Sequence, residues 1–239
     1  MRFGSIEFSP GRWPSLITLI VFGILMSLGF WQLDRAEQKK VLLGEFSGGT
    51  AQAPFRLDEN IESFDDLQYQ FAIAAGTYDA ERQFLQDNRT RNGVAGYEVL
   101  TPLRLEGSDL AVLVNRGWIP LGASRAQLPG LPVAEDGREI IGRIKRVSLD
   151  GFRLGEEELR EGWPYRIQRI DTEYLGDELG YRLMPIILLL APEERDGFVR
   201  EWHPLTFGPE RNVGYAVQWF GLALALAIIY LAVNLHRVK

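Results

Sequence analysis

RNVGYAVQWFGLALALAIIYLAVNL, from Arg211 to Leu235, decides the fold. No charge interrupts it from Asn212 onward, and at about 1.5 Å per residue it can cross about 30 Å of hydrocarbon. A second uncharged run, Trp13 to Leu33, lies between Arg12 and Asp34 near the other end of the chain. The expectation is therefore two membrane helices flanking everything else. The segment Met26-Ser27-Leu28-Gly29-Phe30-Trp31 is a poor small-x-small cleavage site, so the first run reads as an uncleaved anchor rather than a signal peptide.

Two spans put both termini on one side. The short tails are basic, with Arg2 and Arg12 against Glu7 and then Arg237 and Lys239, whereas the net charge of the whole is -6. Basic tails stay in the cytoplasm and long acidic loops are translocated, so the middle is expected to face the periplasm of a bacterial inner membrane. The organisation expected is a cytoplasmic tail at 1–13, a transmembrane helix at 14–33, a periplasmic β-rich domain at 34–211, a second transmembrane helix at 212–235 and a tail at 236–239. The chain has 239 residues and no cysteine, which excludes disulfides, thiolate metal sites and cysteine nucleophiles.

Beyond the polar continuation DRAEQKK, Asp34 to Lys40, the middle breaks into short runs rich in β-branched and aromatic residues. Strands are expected near Gln70–Tyr78, Arg82–Asp87, Tyr97–Arg104, Ala111–Ile119, Glu139–Arg146, Tyr165–Arg169 and Ile186–Leu190, with Pro185 at the opening of the last. Helical turns are expected at Glu156–Glu161, Thr172–Leu179 and Pro192–Arg200. This spacing predicts a mostly antiparallel barrel or sandwich with short helices.

Catalytic signals are missing. No GxSxG, HExxH or P-loop pattern occurs, and His203 and His236 lie at opposite ends of the second span, so no metal site and no enzyme is expected. Asn115-Arg116-Gly117-Trp118 is more informative, because glycine inside a strand marks a bulge or a close backbone approach. One reading is structural: Arg116 pairs with a carboxylate and Trp118 caps the core. The other is a surface where Arg89 and Arg116 meet an anionic group of a cofactor or partner.

At the membrane mouth, Trp31-Gln32 and Gln218-Trp219 fall at the same boundary. Aromatic rings favour that interface, but an amide in hydrocarbon seeks a partner. Gly214, Gln218, Gly221 and Ala225 follow i, i+4, i+7, i+11 spacing and form one small face; Gly29 and Gln32 share a face of the first helix. The two spans are expected to pack through these faces, with Gln32 and Gln218 meeting each other or a guest. The alternative is two lipid-facing anchors whose amides reach the headgroups.

GFWQLDRAEQK closing the first span, then DNR, GYEVLTPL, VNRGWIP, and GYAVQWFGLA opening the last, resemble the Surfeit-locus cytochrome oxidase assembly family. The resemblance implies a non-enzymatic inner-membrane protein that aids haem-copper oxidase maturation, with the catalytic subunit I and other assembly factors as partners and no nucleic acid. It also implies work associated with haem a, bound transiently in a carrier version and not handled in a scaffold version. Contacts would come from Asn212, Tyr215, Gln218, Trp219, His203 and Arg116 towards haem. Asn115, Arg116, Gly117, Trp118, Gln32, Gly214, Gly221 and Ala225 would contact a partner. Members commonly carry a histidine three residues before the tyrosine that is Tyr215 here; this chain has Asn212. A permanently bound accessory subunit of a respiratory complex is the other class of function.

Overall fold

The structure is a computed structural model, describing residues 2–3, 6–49, 53–61, 63–122, 128–147, 162–204 and 207–237. The chain divides into two compact units, one of Met1–Gly44 with Pro204–Lys239 and one of Glu45–His203.

Helix α1 (Arg12–Gly48), which belongs to the first unit as far as Gly44, starts just after Gly11 and runs on beyond its apolar part through the polar Asp34–Lys40 stretch. Local pairs hold that stretch helical: Gln38 donates to Asp34, Arg35 donates to Gln38, and Lys40 meets Glu37 one turn back. The other long helix, which follows the β unit in the chain, is Pro209–Asn234, with Pro209 in the first turn where a missing amide costs nothing. Both helices are long and apolar enough to cross a membrane. Strands β1 (Arg2–Phe3) and β2 (Ile6–Phe8) pair with a last strand, Leu235–Arg237, so the two chain ends form one small sheet.

The β unit contains β3 (Phe55–Arg56), a 3-10 turn at Asp65–Leu67, β4 (Phe71–Tyr78), β5 (Phe84–Arg91), β6 (Val94–Leu105), β7 (Leu110–Pro120), β8 (Arg138–Arg146), β9 (Tyr165–Ile167), α2 (Thr172–Leu179) and β10 (Arg182–Leu190). The long carboxy-terminal helix is then α3 and the last strand β11. The sheet order is β3-β4-β8-β10-β7-β6-β5-β9, and a further β4–β6 pairing closes β4, β8, β10, β7 and β6 into a ring. Most ladders are antiparallel; β10 with β7, β5 with β9 and β3 with β4 are parallel. Of the barrel or sandwich expected between two apolar helices, the barrel is the one observed.

Alternation along the strands fills the ring. Ala72, Ala74, Leu103, Val114, Ile144 and Leu188 meet inside it. The outward side chains Phe84, Leu100, Leu113 and Ile187 are covered by Leu175 and Leu179 of α2. Ala111 to Val114 are thus buried on both faces, which is why that run is apolar without alternation. Asp171 caps α2 by accepting from the Tyr174 amide, and Gly180 ends it in the left-handed region at φ 76°.

Three expectations change. Pro185 lies inside β10, at the register irregularity between Leu183 and Ile187, where its missing amide is accommodated. Pro192–Arg200 forms turns rather than a helix, because the Arg200 guanidinium takes the carbonyls of Ala191, Pro192 and Glu194 and curls the backbone around itself. Strand β5 runs on past Asp87 to Arg91 and turns into β6 through Asn92 and Gly93, both at positive φ. The expected turn at Glu156–Glu161 lies outside the described residues.

Candidate functional site

In the helix unit, the contact between α1 and α3 is built from small residues and one polar pin. Gly29 and Ala36 are buried on α1, and Ala216 and Ala223 on α3. The Phe220 ring sits so close over Gly29 that a Cβ there would overlap it, and it meets Phe30 edge to face at 5.3 Å. Asn212 Nδ2 donates to Gln32 Oε1 at 2.7 Å, and Lys39 Nζ donates to Asn212 Oδ1 at 2.7 Å. Towards the far end of the pair, Ser15 Oγ and Tyr230 OH lie 2.6 Å apart.

Gln32 is therefore at the interface as expected, but its partner is Asn212. Gln218 lies six residues further on, about 120° round the helix from Asn212. It is exposed, as are Gly214, Gly221 and Ala225, and nothing approaches a Cβ built at either glycine. The small face expected against α1 thus points away from it. The reason is a choice of fit: Phe220 fills the notch at Gly29, and Asn212 is the amide close enough to reach both Gln32 and Lys39. Tyr215 is 40% exposed, Arg211 stands over its ring at 5.9 Å and over Phe207 at 4.3 Å, and Trp219 is half-buried.

In the β unit, Arg116 is 1% exposed inside a bulge between β6 and β7. Its guanidinium donates to the carbonyls of Asp196 at 2.8 Å and Pro132 at 2.6 Å, and to Gln83 Oε1 at 3.0 Å. Phe198 and Tyr78 face it with their rings. Burial pulls its pKa down, opposed by Tyr78 and Asp196. Neither sequence reading of Arg116 is met: its hydrogen-bond acceptors are neutral, and it is no surface group. Asn115 donates to Glu98 at 2.7 Å and accepts from the Gly117 amide, and Trp118 Nε1 donates to the Arg89 carbonyl. Gly117 adopts φ 113°, and Val199 pairs across it with Trp118, leaving no room for a Cβ. Arg89 is directed instead towards Glu98, 3.9 Å away.

Two further residues, Lys39 and Gln83, complete these networks. Lys39 was legible as the position two turns beyond Gln32 on the same face of α1; Gln83 carries no local signal. No cluster of three or more His, Asp or Glu side chains that could hold a metal ion occurs among the described residues. His203 is exposed in the β unit, and His236 lies in β11, on the opposite end of α3 from Asn212.

A model of the SURF1 family matches residues 19–224, from within α1 across the whole barrel and into α3. The chain belongs to the SURF1 family. A SURF1-like protein of Rickettsia felis is 26% identical over 225 residues, covering 90% of this chain and 94% of its own. Surfeit locus protein 1 of Takifugu rubripes is 22% identical over 237 residues, covering 92% and 97%. A Caenorhabditis elegans SURF1-like protein is 30% identical over 137 residues, covering 48% and 42%. The SURF1 match includes both the helix pair and the barrel, so neither part is an appendage to the other.

Asn212 does not fit an iron ligand. Haem iron takes imidazole, thiolate, thioether or phenolate, and both ends of the Asn212 carboxamide are already bonded within the pair.

Proposed function

We propose that this SURF1-family chain is a non-catalytic assembly factor for cytochrome c oxidase, held in a bacterial inner membrane by α1 and α3. Both termini lie in the cytoplasm and the barrel in the periplasm, following the basic Arg12 beside the first span and Arg237 after the second. The observation that carries the reading is the continuous family match over both apolar helices and the barrel. The partner is the catalytic subunit I with its bundle of membrane helices, and other assembly factors join at the same stage. The outward face of α3 is suited to such a bundle, since small residues let helix backbones approach and Gln218 offers an amide to a facing polar side chain.

The test is recovery of the tagged chain from cells making the oxidase, with subunits quantified by mass spectrometry. Enrichment of subunit I without late-joining subunits, and loss of mature oxidase when the chain is deleted, is the expected result. Stoichiometric recovery with the complete enzyme would instead make it a permanent accessory subunit.

A further inference from the structure

We infer that Asn212 is a pin joining α1 to α3 and not a ligand to iron, so that any haem the protein meets is held by something other than this position. The inference deepens the assembly reading, but its readouts come from the purified chain and stand apart from oxidase yield.

The geometry carries it. Gln32 and Lys39 are seven residues apart, about two turns, and so lie above one another on α1. Asn212 reaches between them with both ends of its carboxamide engaged: Nδ2 donates to Gln32 Oε1 and Oδ1 accepts from Lys39 Nζ, each at 2.7 Å. The polarity is fixed, because a lysine ammonium can only donate and so selects the oxygen. All three side chains are half-buried. An amide nitrogen has no lone pair to give a metal, and this amide oxygen is already turned to a cation. Moving Asn212 onto iron would strand Lys39 and Gln32 at the helix contact without their partner, a cost the apolar surroundings raise.

Two measurements on the full chain in detergent decide it. In the first, helix loss is followed by circular dichroism during titration with sodium dodecyl sulfate for the parent, Asn212→Ala, Lys39→Met and the double variant. A pin predicts that Lys39→Met, which loses one bond, shifts the unfolding equilibrium about threefold, that Asn212→Ala, which loses both, shifts it about ninefold, and that the double change is little worse than Asn212→Ala alone. Fully additive shifts would overturn the pin. In the second, hemin is titrated into the parent and Asn212→Ala with the Soret band recorded. Spectra unaltered by the substitution, whether bound or unbound, are the expected result. A ligated Soret band in the parent that Asn212→Ala abolishes, while its helix content is retained, would make Asn212 part of the iron site and sink the inference.

Discussion

At Arg116 the guanidinium fork is matched to neutral acceptors that point at it from Gln83 just before β5, from Thr101 in β6, from the Pro132 loop and from the turn at Asp196. Lysine at this position keeps the charge but cannot reach them all, so Arg116→Lys is expected to cost about 3 kcal/mol, read as a fall in the thermal midpoint of the β unit. Tyr78 lies beside it, 3% exposed, its hydroxyl without a hydrogen-bond partner among the described residues. Tyr78→Phe is therefore expected to stabilise by about 1 kcal/mol at neutral pH. Burial raises the pKa of Tyr78 above its ordinary 10.0, and burial with a hydrogen bond to Asp79 does the same for Tyr181. A raised folded pKa means stability that is complete below pH 10.0 and declines as pH rises above it, because the unfolded chain then releases protons that the fold retains. The thermal midpoint should fall above that pH, and less steeply in Tyr78→Phe. Of this the sequence displayed only the anomaly, an arginine and a glycine within an apolar strand. What surrounds Arg116 comes from residues at distant positions, Gln83, Pro132 and Asp196, which no local pattern links.

Between elements, the informative comparison is Gly29 with Gly221. The first lies under the Phe220 ring and the second has open space around it. Gly29→Leu should separate the helix pair, seen as earlier helix loss on detergent titration. Gly221→Leu should leave that transition in place and, on the docking proposal, reduce recovery of subunit I. Equal behaviour of the two would count against the assignment of faces. The helices themselves and most strands were legible from apolar runs and turn residues, and α2 was legible to its ends because Asp171 and Gly180 mark them. The hairpin between β5 and β6 was missed, with β5 ended too early at Asp87, although Asn92-Gly93 is a pair suited to two successive positive φ angles. The rotation of α3 was not legible: two small faces were available, and Asn212 selects between them only once Lys39 is in place. Pro192–Arg200 was misread for a similar reason, since a side chain, Arg200, organises that backbone.

For the molecule as a whole, the lack of cysteine makes the proposed orientation easy to test. Asn92→Cys, at the hairpin turn, should react with a membrane-impermeant maleimide in spheroplasts, whereas Gly11→Cys, just before α1, should react only after permeabilisation. The reverse pattern would invert the protein. The sheet order carries another consequence, one that concerns time. β10 is the last barrel strand to be made, yet it lies between β7 and β8 and pairs with both. Until Arg182–Leu190 has emerged, the β3-β4-β8 half and the β7-β6-β5-β9 half of the sheet are joined only by the short β4–β6 contact at Gly76–Tyr78. The ring therefore cannot close until β10 has been made, so the barrel becomes able to complete its fold only late in its own synthesis, just before α3 follows.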